Sequence, residues 1–360
     1  MTPDVVVYGG GIIGALSAYE LAKDGARVLL LEKHSFGYGA SGNSAAMLEL
    51  QIDAYRGDPF LSLARASHDL FPALADELKN RTGVDIQFSR CSILQVALQA
   101  EEAVFLEKEC ARQSALGLRA EWISAKQIGE RFPELTKKNH GAALFREDGR
   151  VNGNRFLEAA LAAAKDSGVT LKENAGSESV KEFLKGGTKV VVAAGAWTDE
   201  VLKQLGVRLG VTPVRGQLMV IDTPVPPLPF PVYTKTGGYL TPREDGTTLA
   251  GTTVENAGFD SVTTAEGRRQ ITRIVEALMP ALLERPVVRM TAGLRPKSPD
   301  DLPLIGPLPE QPGLFVASGH YRNGILLAPI TAKIIAALVS GRRSPVPLDP
   351  FLPSRVSLSA

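Results

Sequence analysis

Runs of hydrophobic residues without polar alternation mark the N-terminal part of the chain. Residues 5–8 form a β-branched run that leads into three glycines, and residues 12–23 have the apolar spacing of a buried helix. Residues 28–31 form a second continuous apolar run. Strands that are apolar on both faces are typical of a parallel sheet covered by helices, so this segment predicts a β-α-β unit.

Later segments predict a second kind of layer. Four helical patterns follow, at about 62–81, 99–115, 125–131 and 155–166. Strands are predicted at 189–194, 218–221, 239–241, 248–250, 289–294 and 314–318. Thr263 and Glu266 have the spacing of a capping box for a helix that ends at Met279, and a last helix covers about 325–338. Because parallel and antiparallel segments alternate without a Pro-rich linker, we expect two interleaved domains.

Composition and charge exclude several classes of protein. The 360 residues correspond to roughly two domains at about 150 residues each. The chain carries 40 Lys and Arg against 39 Asp and Glu, so it has no excess positive charge for binding nucleic acid. Cys91 and Cys110 allow one disulfide at most, which favours a reducing compartment. No basic segment precedes the first apolar run, and residues 325–339 are too short to span a bilayer. We therefore expect a cytoplasmic protein without stable membrane insertion.

A glycine motif follows the first predicted strand. The run Gly9-Gly10-Gly11-Ile12-Ile13-Gly14 fits G-x-G-x-x-G between a strand and a helix. The first glycine permits a tight turn, the second lets the backbone approach a pyrophosphate, and the third lets helix and strand pack closely. Glu32 ends the second strand, where a carboxylate accepts hydrogen bonds from ribose hydroxyls and repels a 2′-phosphate. The pattern predicts dinucleotide binding and leaves NAD and FAD open.

Two further segments have the composition of a cofactor site. Residues 38–48 are a run of small residues followed by a helical pattern, and small side chains suit a backbone pressed against a flat ring. Residues 319–329 lead from a strand into a helix. The positive N-terminus of that helix would stabilise the negative charge of a reduced flavin.

These segments together resemble the FAD-dependent D-amino-acid oxidase family, and within it the glycine oxidases of thiamine biosynthesis. The resemblance extends over essentially the whole chain and includes 194–197, 213–217, 239–243, 292–296 and 319–326. It implies an α/β plus α+β fold, in which a Rossmann-like FAD-binding domain is interleaved with a substrate domain built on an antiparallel sheet. The implied FAD-binding domain comprises 1–73, 140–213 and 291–349, the substrate domain 74–139 and 214–290, and the C-terminal tail 350–360.

The resemblance assigns roles to three residues. Arg295, in Gly-Leu-Arg-Pro, corresponds to the arginine that binds the substrate carboxylate, and a guanidinium matches a carboxylate bidentately. Tyr239 would donate a hydrogen bond to the same carboxylate, and Arg322 would lie close to both flavin and substrate. The alternatives are a surface ion pair of Arg295 with Asp300 or Asp301, a core aromatic at Tyr239, and a purely structural Arg322.

The glycine motif and the resemblance together imply a non-covalent FAD site. No cysteine lies between residues 292 and 324, where a covalent flavin link would require one. The resemblance also places Val254 beside the substrate, and it places the adenine contact near Ser177 or Val180, within a segment that is shorter than in the family. The four histidines lack the spacing of metal ligands, so no metal is expected. The expected cofactor-binding residues are Gly9, Gly11, Ile12, Ile13, Gly14, Glu32, Lys33, Ala40, Ser41, Ala45, Ala46, Met47, Gly195, His320, Tyr321, Arg322, Asn323, Gly324, Ile325 and Leu326.

The implied reaction is oxidative deamination of glycine, sarcosine or small D-amino acids, in thiamine biosynthesis. The Cα hydride would pass to flavin N5, and water would hydrolyse the resulting imino acid to a 2-oxo acid and ammonia or an amine. O2 would reoxidise the flavin and form H2O2. The alternatives of the same fold are a D-amino-acid dehydrogenase that passes electrons to a quinone and a 2-hydroxy-acid oxidase or dehydrogenase. A non-catalytic FAD-binding protein would be expected to lack Arg295 or Tyr239, and both are present. Relatives are often homotetramers, so a homo-oligomer is expected.

Overall fold

The computed structural model describes residues 2–175, 178–225, 228–356 and 358–359. Over these residues the strands are β1 (Val5–Tyr8), β2 (Val28–Leu31), β3 (Met47–Leu48), β4 (Ser89–Val96), β5 (Ala120–Ile123), β6 (Ala142–Arg150), β7 (Thr170–Lys172), β8 (Lys189–Val192), β9 (Val207–Arg208), β10 (Thr212–Asp222), β11 (Val232–Thr234), β12 (Tyr239–Pro242), β13 (Thr247–Gly251), β14 (Val287–Lys297), β15 (Leu304–Pro307), β16 (Leu314–Ser318) and β17 (Leu358–Ser359). The α-helices are α1 (Ile12–Lys23), α2 (Phe60–His68), α3 (Phe71–Thr82), α4 (Ala100–Ala115), α5 (Ala125–Arg131), α6 (Gly153–Asp166), α7 (Val180–Lys185), α8 (Thr198–Leu202), α9 (Ala265–Leu278) and α10 (Gly324–Val339).

A six-stranded sheet forms one half of the described structure, in the order β15-β16-β8-β1-β2-β7. β1 pairs in parallel with β2 and with β8, so that Val5 lies opposite both Val28 and Lys189. β15 is antiparallel to β16 at one edge. Helices α1, α6 and α10 pack on one face, and α7 and α8 contribute to the core on the other. The strands are therefore buried on both faces, which is why they lack polar alternation.

A nine-stranded sheet forms the other half, in the order β14-β10-β13-β12-β11-β4-β6-β3, with β5 paired to β6. Its pairs are antiparallel except for β11 and β4. The apolar face of α9 packs on one side through Ile271 and Val275, and α4 packs on the other through Leu106 and Cys110. The fold is thus a Rossmann-like α/β half interleaved with an α+β half, as the sequence predicts.

The two sheets exchange chain segments several times. Residues 142–150, which the implied boundaries assign to the FAD-binding domain, form β6 of the nine-stranded sheet. Residues 358–359, in the implied C-terminal tail, pair as β17 with β9. The domain boundaries stay a prediction. In the part of the chain that the structure describes, the helices are too short or too polar to cross a membrane.

Three local predictions are wrong. The helix expected at 62–81 is two helices, because α3 starts anew with Pro72 in its first turn, where the missing N–H costs no hydrogen bond. The capping residue of α9 is Thr264 rather than Thr263, and its hydroxyl accepts from Gly267 N–H at 3.0 Å. The run of small residues at 38–48 is not directly followed by a helix, because Met47–Leu48 pairs with the end of β6 and the next α-helix begins at Phe60.

Candidate active site

A cavity of about 380 Å³ lies between the two sheets, at the carboxyl ends of β1 and β2. Its wall contains residues of the glycine motif at one end and Arg295 and Tyr239 at the other. The carboxyl ends of parallel strands are where α/β folds bind their ligands. The cavity therefore joins the expected cofactor site to the expected substrate site.

The glycine turn fits only residues without a side chain. Gly9 has a φ of 110°, and a Cβ on it would lie 2.3 Å from the carbonyl oxygen of Ala193. A Cβ on Gly14 would lie 1.9 Å from the carbonyl oxygen of Gly9. At Gly11 a Cβ would meet only the Ser41 hydroxyl, at 3.0 Å. Because Gly9 and Gly14 lack side chains, the backbone packs closely here, and the N-terminus of α1 lies at the cavity wall.

The N-terminus of α1 and Glu32 supply the polar groups of this end. The Ser41 hydroxyl accepts from Ile12 N–H at 3.0 Å, in the place where a helix N-terminus favours an anion. The Glu32 carboxylate accepts from the N–H groups of Gly10 and His34, at 2.7 and 2.8 Å. Each carboxylate oxygen has a second lone pair, so the Glu32 side chain can still accept from ribose hydroxyls. This arrangement fits the adenosine and pyrophosphate parts of FAD.

A second helix N-terminus faces the cavity from the opposite side. The loop before α10 includes Gly319 and Tyr321, both with positive φ, and Tyr321 N–H donates to the Pro296 carbonyl at 2.8 Å. His320 is buried with its Nε2 3.0 Å from the Thr331 hydroxyl, and burial lowers the pKa of His320 to about 3. The imidazole is therefore neutral. The positive end of α10 remains as the group that would stabilise a negatively charged flavin ring.

Aromatic rings line one side of the same cavity. Trp197 lies on the cavity wall. Its ring lies between Tyr38, with centroids 6.0 Å apart, and Phe259, at 5.7 Å. Flat side chains at this place suit the planar parts of a dinucleotide. The sequence alone could not separate this role from ordinary core packing.

Arg295 is the main charged group at the other end of the cavity. Its Nη1 donates to the Thr253 carbonyl at 3.2 Å and its Nη2 to the Thr252 hydroxyl at 2.5 Å. Among the described residues no carboxylate forms an ion pair with it. Burial lowers the pKa of the guanidinium, which is the effect expected of a cation that lacks a paired anion.

The alternative ion pairs of Arg295 do not form. Asp300 binds Arg355 at 2.7 Å, and Asp301 lies 3.4 Å from Lys297. The guanidinium instead fills the space beside Gly216 of β10, where a Cβ would lie 1.9 Å from Nη2. Glycine at this position is what allows the side chain to lie across the sheet into the cavity.

Tyr239, which lines the cavity with Arg295, is stacked on a second tyrosine. The rings of Tyr239 and Tyr233 are 5.1 Å apart at an interplanar angle of 28°. Burial raises the pKa of Tyr239 to about 12, so it is a hydroxyl donor at neutral pH. The Tyr233 hydroxyl donates to Oε1 of Glu49 at 2.6 Å, and Oε2 of Glu49 lies 3.8 Å from Arg322 Nη2. The substrate end thus holds two guanidinium groups and one carboxyl group.

The structure brings most of the predicted site residues together. Gly14, Asn323 and Leu326 are exceptions that do not line the cavity: Gly14 packs helix against strand, Asn323 donates to Asp53, and Leu326 is in the core. The predicted residues on the cavity wall are Gly9, Gly11, Ile12, Ile13, Glu32, Lys33, Ala40, Ser41, Ala45, Ala46, Met47, Gly195, Tyr239, Arg295, His320, Tyr321, Arg322, Gly324 and Ile325.

One expectation from the resemblance is not met, and one residue was missed. Val254 is 59% exposed and does not line the cavity. The adenine contact expected near Ser177 or Val180 stays a prediction, since Ser177 lies outside the described residues and Val180 is buried at the start of α7. Glu49 lines the cavity, although the sequence offers no signal for it beyond a single acid in an apolar run.

Groups of three or more His, Cys, Asp or Glu placed to hold a metal ion are absent from the described part of the chain. The two cysteines are free, and burial raises the pKa of both thiols to about 12.

Known proteins resemble this chain over nearly its full length. Residues 4–338 match the family model described as DAO, FAD dependent oxidoreductase. The chain is 36% identical to the glycine oxidase of Geobacillus kaustophilus strain HTA426 over 360 residues, which cover 97% of this chain and 96% of that protein. It is 32% identical to the bifunctional protein ThiO/ThiG of Nostoc sp. strain PCC 7120, over 98% of this chain and 54% of that longer protein.

A solved structure also matches the fold. The crystal structure of glycine oxidase from Geobacillus kaustophilus has a TM-score of 0.92 with this chain, at 34% sequence identity, and the match covers 98% of both chains. The cavity and its wall therefore lie in a fold that is shared with FAD-dependent oxidoreductases.

Proposed function

This chain belongs to the DAO family of FAD-dependent oxidoreductases, and from that membership we propose that it oxidises glycine, sarcosine or small D-amino acids with O2. The products are a 2-oxo acid, ammonia or an amine, and H2O2. Glycine is the first substrate to test, because relatives above 30% identity over nearly the whole chain are named glycine oxidases. Thiamine biosynthesis is the pathway we propose for it.

One observation above all others supports a substrate that carries a carboxylate, as amino acids do. The Arg295 guanidinium projects into the cavity with a carbonyl and a hydroxyl as its hydrogen-bond acceptors and no carboxylate partner among the described residues. A desolvated cation of this kind is strongly stabilised by a small anion that reaches it. We assign Arg295 to the substrate carboxylate, with Tyr239 as a second donor to the same group.

One set of residues is assigned to the substrate and another to the cofactor. Arg295 and Tyr239 fix the carboxylate, so the rest of a small amino acid is directed along the cavity toward the glycine motif. When bound, FAD accepts the two electrons that leave the substrate at Cα and passes them to O2. We assign the N-termini of α1 and α10 and the Glu32 carboxylate to holding this cofactor. Catalysis by placement requires no side-chain base on the cavity wall.

An anaerobic absorption spectrum tests the proposal. The purified protein should show flavin bands that bleach on adding glycine, sarcosine or D-alanine and return when air is admitted, with H2O2 formed in proportion. Bands that bleach but return only with a quinone analogue would favour the dehydrogenase alternative. Bands that bleach with glycolate or lactate and not with any amino acid would replace the substrate class with 2-hydroxy acids.

A further inference from the structure

Glu49 is a buried acid on the wall of the substrate end of the cavity. It directly follows β3, it is 6% exposed, and it lines the same cavity as Arg295 and Tyr239. Its Oε1 accepts a 2.6 Å hydrogen bond from Tyr233, which is itself buried and stacked on Tyr239. The carboxyl group is therefore held in a fixed place beside the proposed substrate carboxylate site.

Glu49 is paired with one of the two guanidinium groups at the substrate end of the cavity. Its Oε2 lies 3.8 Å from Nη2 of Arg322. Arg322 separates the main cavity from a small one of about 30 Å³, whose wall includes Asp53. Arg295 has no such partner among the described carboxylates. Asp53 also stabilises the charge of Arg322 from the wall of the small cavity. Arg295 is thus the guanidinium at the substrate end that is left to bind an anionic ligand.

Two contacts of Glu49 favour its ionised form, namely the 3.8 Å approach of Arg322 and the hydrogen bond from Tyr233. They oppose burial and the nearby Asp53, which raise the pKa of the Glu49 carboxyl. A second carboxylate on a ligand would therefore meet a like charge at short range and an arginine that is already paired.

We propose that Glu49 is a specificity-determining residue that limits this site to substrates with a single carboxylate, because it neutralises Arg322 and leaves only Arg295 for the substrate. The inference rests on the proposed function of the site. It excludes amino acids with an acidic side chain and iminodicarboxylates from efficient oxidation. It also predicts that removing the charge of Glu49 frees Arg322 to bind a second carboxylate.

Binding of unreactive anions tests this without turnover. Propionate and malonate have the same three-carbon chain and differ by one carboxylate, and each is titrated into the FAD-loaded protein while the flavin absorption is followed. The wild-type protein should bind propionate more tightly than malonate. In Glu49→Gln, which keeps an acceptor for Tyr233, the ratio of the malonate to the propionate dissociation constant should fall by about tenfold or more, the size expected of one new charge-assisted hydrogen bond.

Two control variants accompany the test. Glu49→Asp keeps the charge and should keep the preference for propionate. Glu109→Gln removes another buried carboxylate, which pairs with Arg112 and lies on the wall of the small cavity, and it should leave the ratio unchanged. Flavin content and melting temperature establish that each variant is folded.

Three results would overturn the proposal. The first, which needs no variant, is that the wild-type protein binds malonate at least as tightly as propionate. The second is a ratio in Glu49→Gln that stays within twofold of wild type, and the third is a flavin spectrum that responds to neither anion in either protein. If the wild-type protein fails to oxidise glycine but the ratio of dissociation constants falls in Glu49→Gln, the proposed function is refuted and the charge selection is retained. If the wild-type protein oxidises glycine and the ratio does not fall, only the charge selection is refuted.

Discussion

Replacing Gly216 by alanine is a sharp test of the carboxylate site, because it moves Arg295 without changing it. A methyl group there would lie 1.9 Å from Nη2 and 2.3 Å from Cζ of Arg295. Carbon and nitrogen atoms that are not bonded need a separation of roughly 3.5 Å, so the guanidinium must shift by about 1.5 Å. The backbone at Gly216 belongs to a regular antiparallel strand, which alanine can adopt.

The displacement should weaken substrate binding and leave the fold intact. A shift of that size removes both hydrogen bonds that position Arg295, to Thr252 and Thr253. A charge-assisted hydrogen bond contributes about 1.5–3 kcal/mol, and about 1.4 kcal/mol corresponds to a tenfold change. We therefore expect kcat/KM for glycine to fall by about 10- to 100-fold, mostly through KM.

Steady-state kinetics with peroxide detection measure this change. Gly129→Ala is the matched control, because its Cβ on the exposed side of α5 would meet no atom within 4 Å. It should keep wild-type kinetics and raise the melting temperature slightly, since alanine favours helix over glycine. If Gly216→Ala keeps the wild-type KM for glycine while it is fully loaded with flavin, Arg295 does not bind the substrate carboxylate in this position.

Three other perturbations address separate parts of the structure. Arg295→Ala should raise KM for glycine by at least about tenfold while FAD stays bound, and unchanged kinetics would contradict its assignment. Glu32→Ala removes the acceptor for Gly10 N–H and the proposed ribose contact, so the protein should lose flavin on dialysis; full retention would contradict that role. Burial lowers the pKa of His320 from 6.5 to about 3, so between these pH values the unfolded chain binds more protons than the folded one. The contribution of the neutral imidazole to stability is therefore present above pH 6.5 and is lost as the pH falls toward 3. The melting temperature of His320→Gln should depend less on pH in this range than that of wild type or of the exposed control His140→Gln, and equal slopes for all three would contradict the buried neutral imidazole.

The parts of the fold that the sequence predicts well are those with local causes. The elements at 5–8, 12–23 and 28–31 have the predicted bounds, because central parallel strands are continuously apolar and a glycine turn precedes the helix. β6 was not predicted, since its pattern is interrupted by a fully buried Asp148 whose carboxylate accepts from Gln51 N–H at 2.6 Å. That partner is 97 positions away, and no local pattern can indicate it.

The same distinction applies to the site. The glycine motif and Glu32 follow from adjacent residues, and the resemblance supplies Arg295, Tyr239 and Arg322. Glu49 could not be found in this way, because its partner Tyr233 lies 184 positions along the chain. An acid within an apolar run is usually a solvated residue at the end of a strand. Here the hydrogen bond from Tyr233 of β11 fixes Glu49, which follows β3, on the cavity wall.

The geometry of the loop before α10 explains how the cofactor and substrate sites are kept in register. The backbone of Tyr321 is hydrogen-bonded to Pro296, which directly follows Arg295, and α10 begins three residues after Tyr321. Arg322 lies in the same loop, and its Nη2 is 3.8 Å from Oε2 of Glu49. The proposed carboxylate-binding group and the helix proposed to stabilise the flavin are therefore joined by a few peptide units. Under the proposed function, catalysis comes from placing the substrate against the cofactor, so we expect this short connection to matter more for the rate than any titratable side chain.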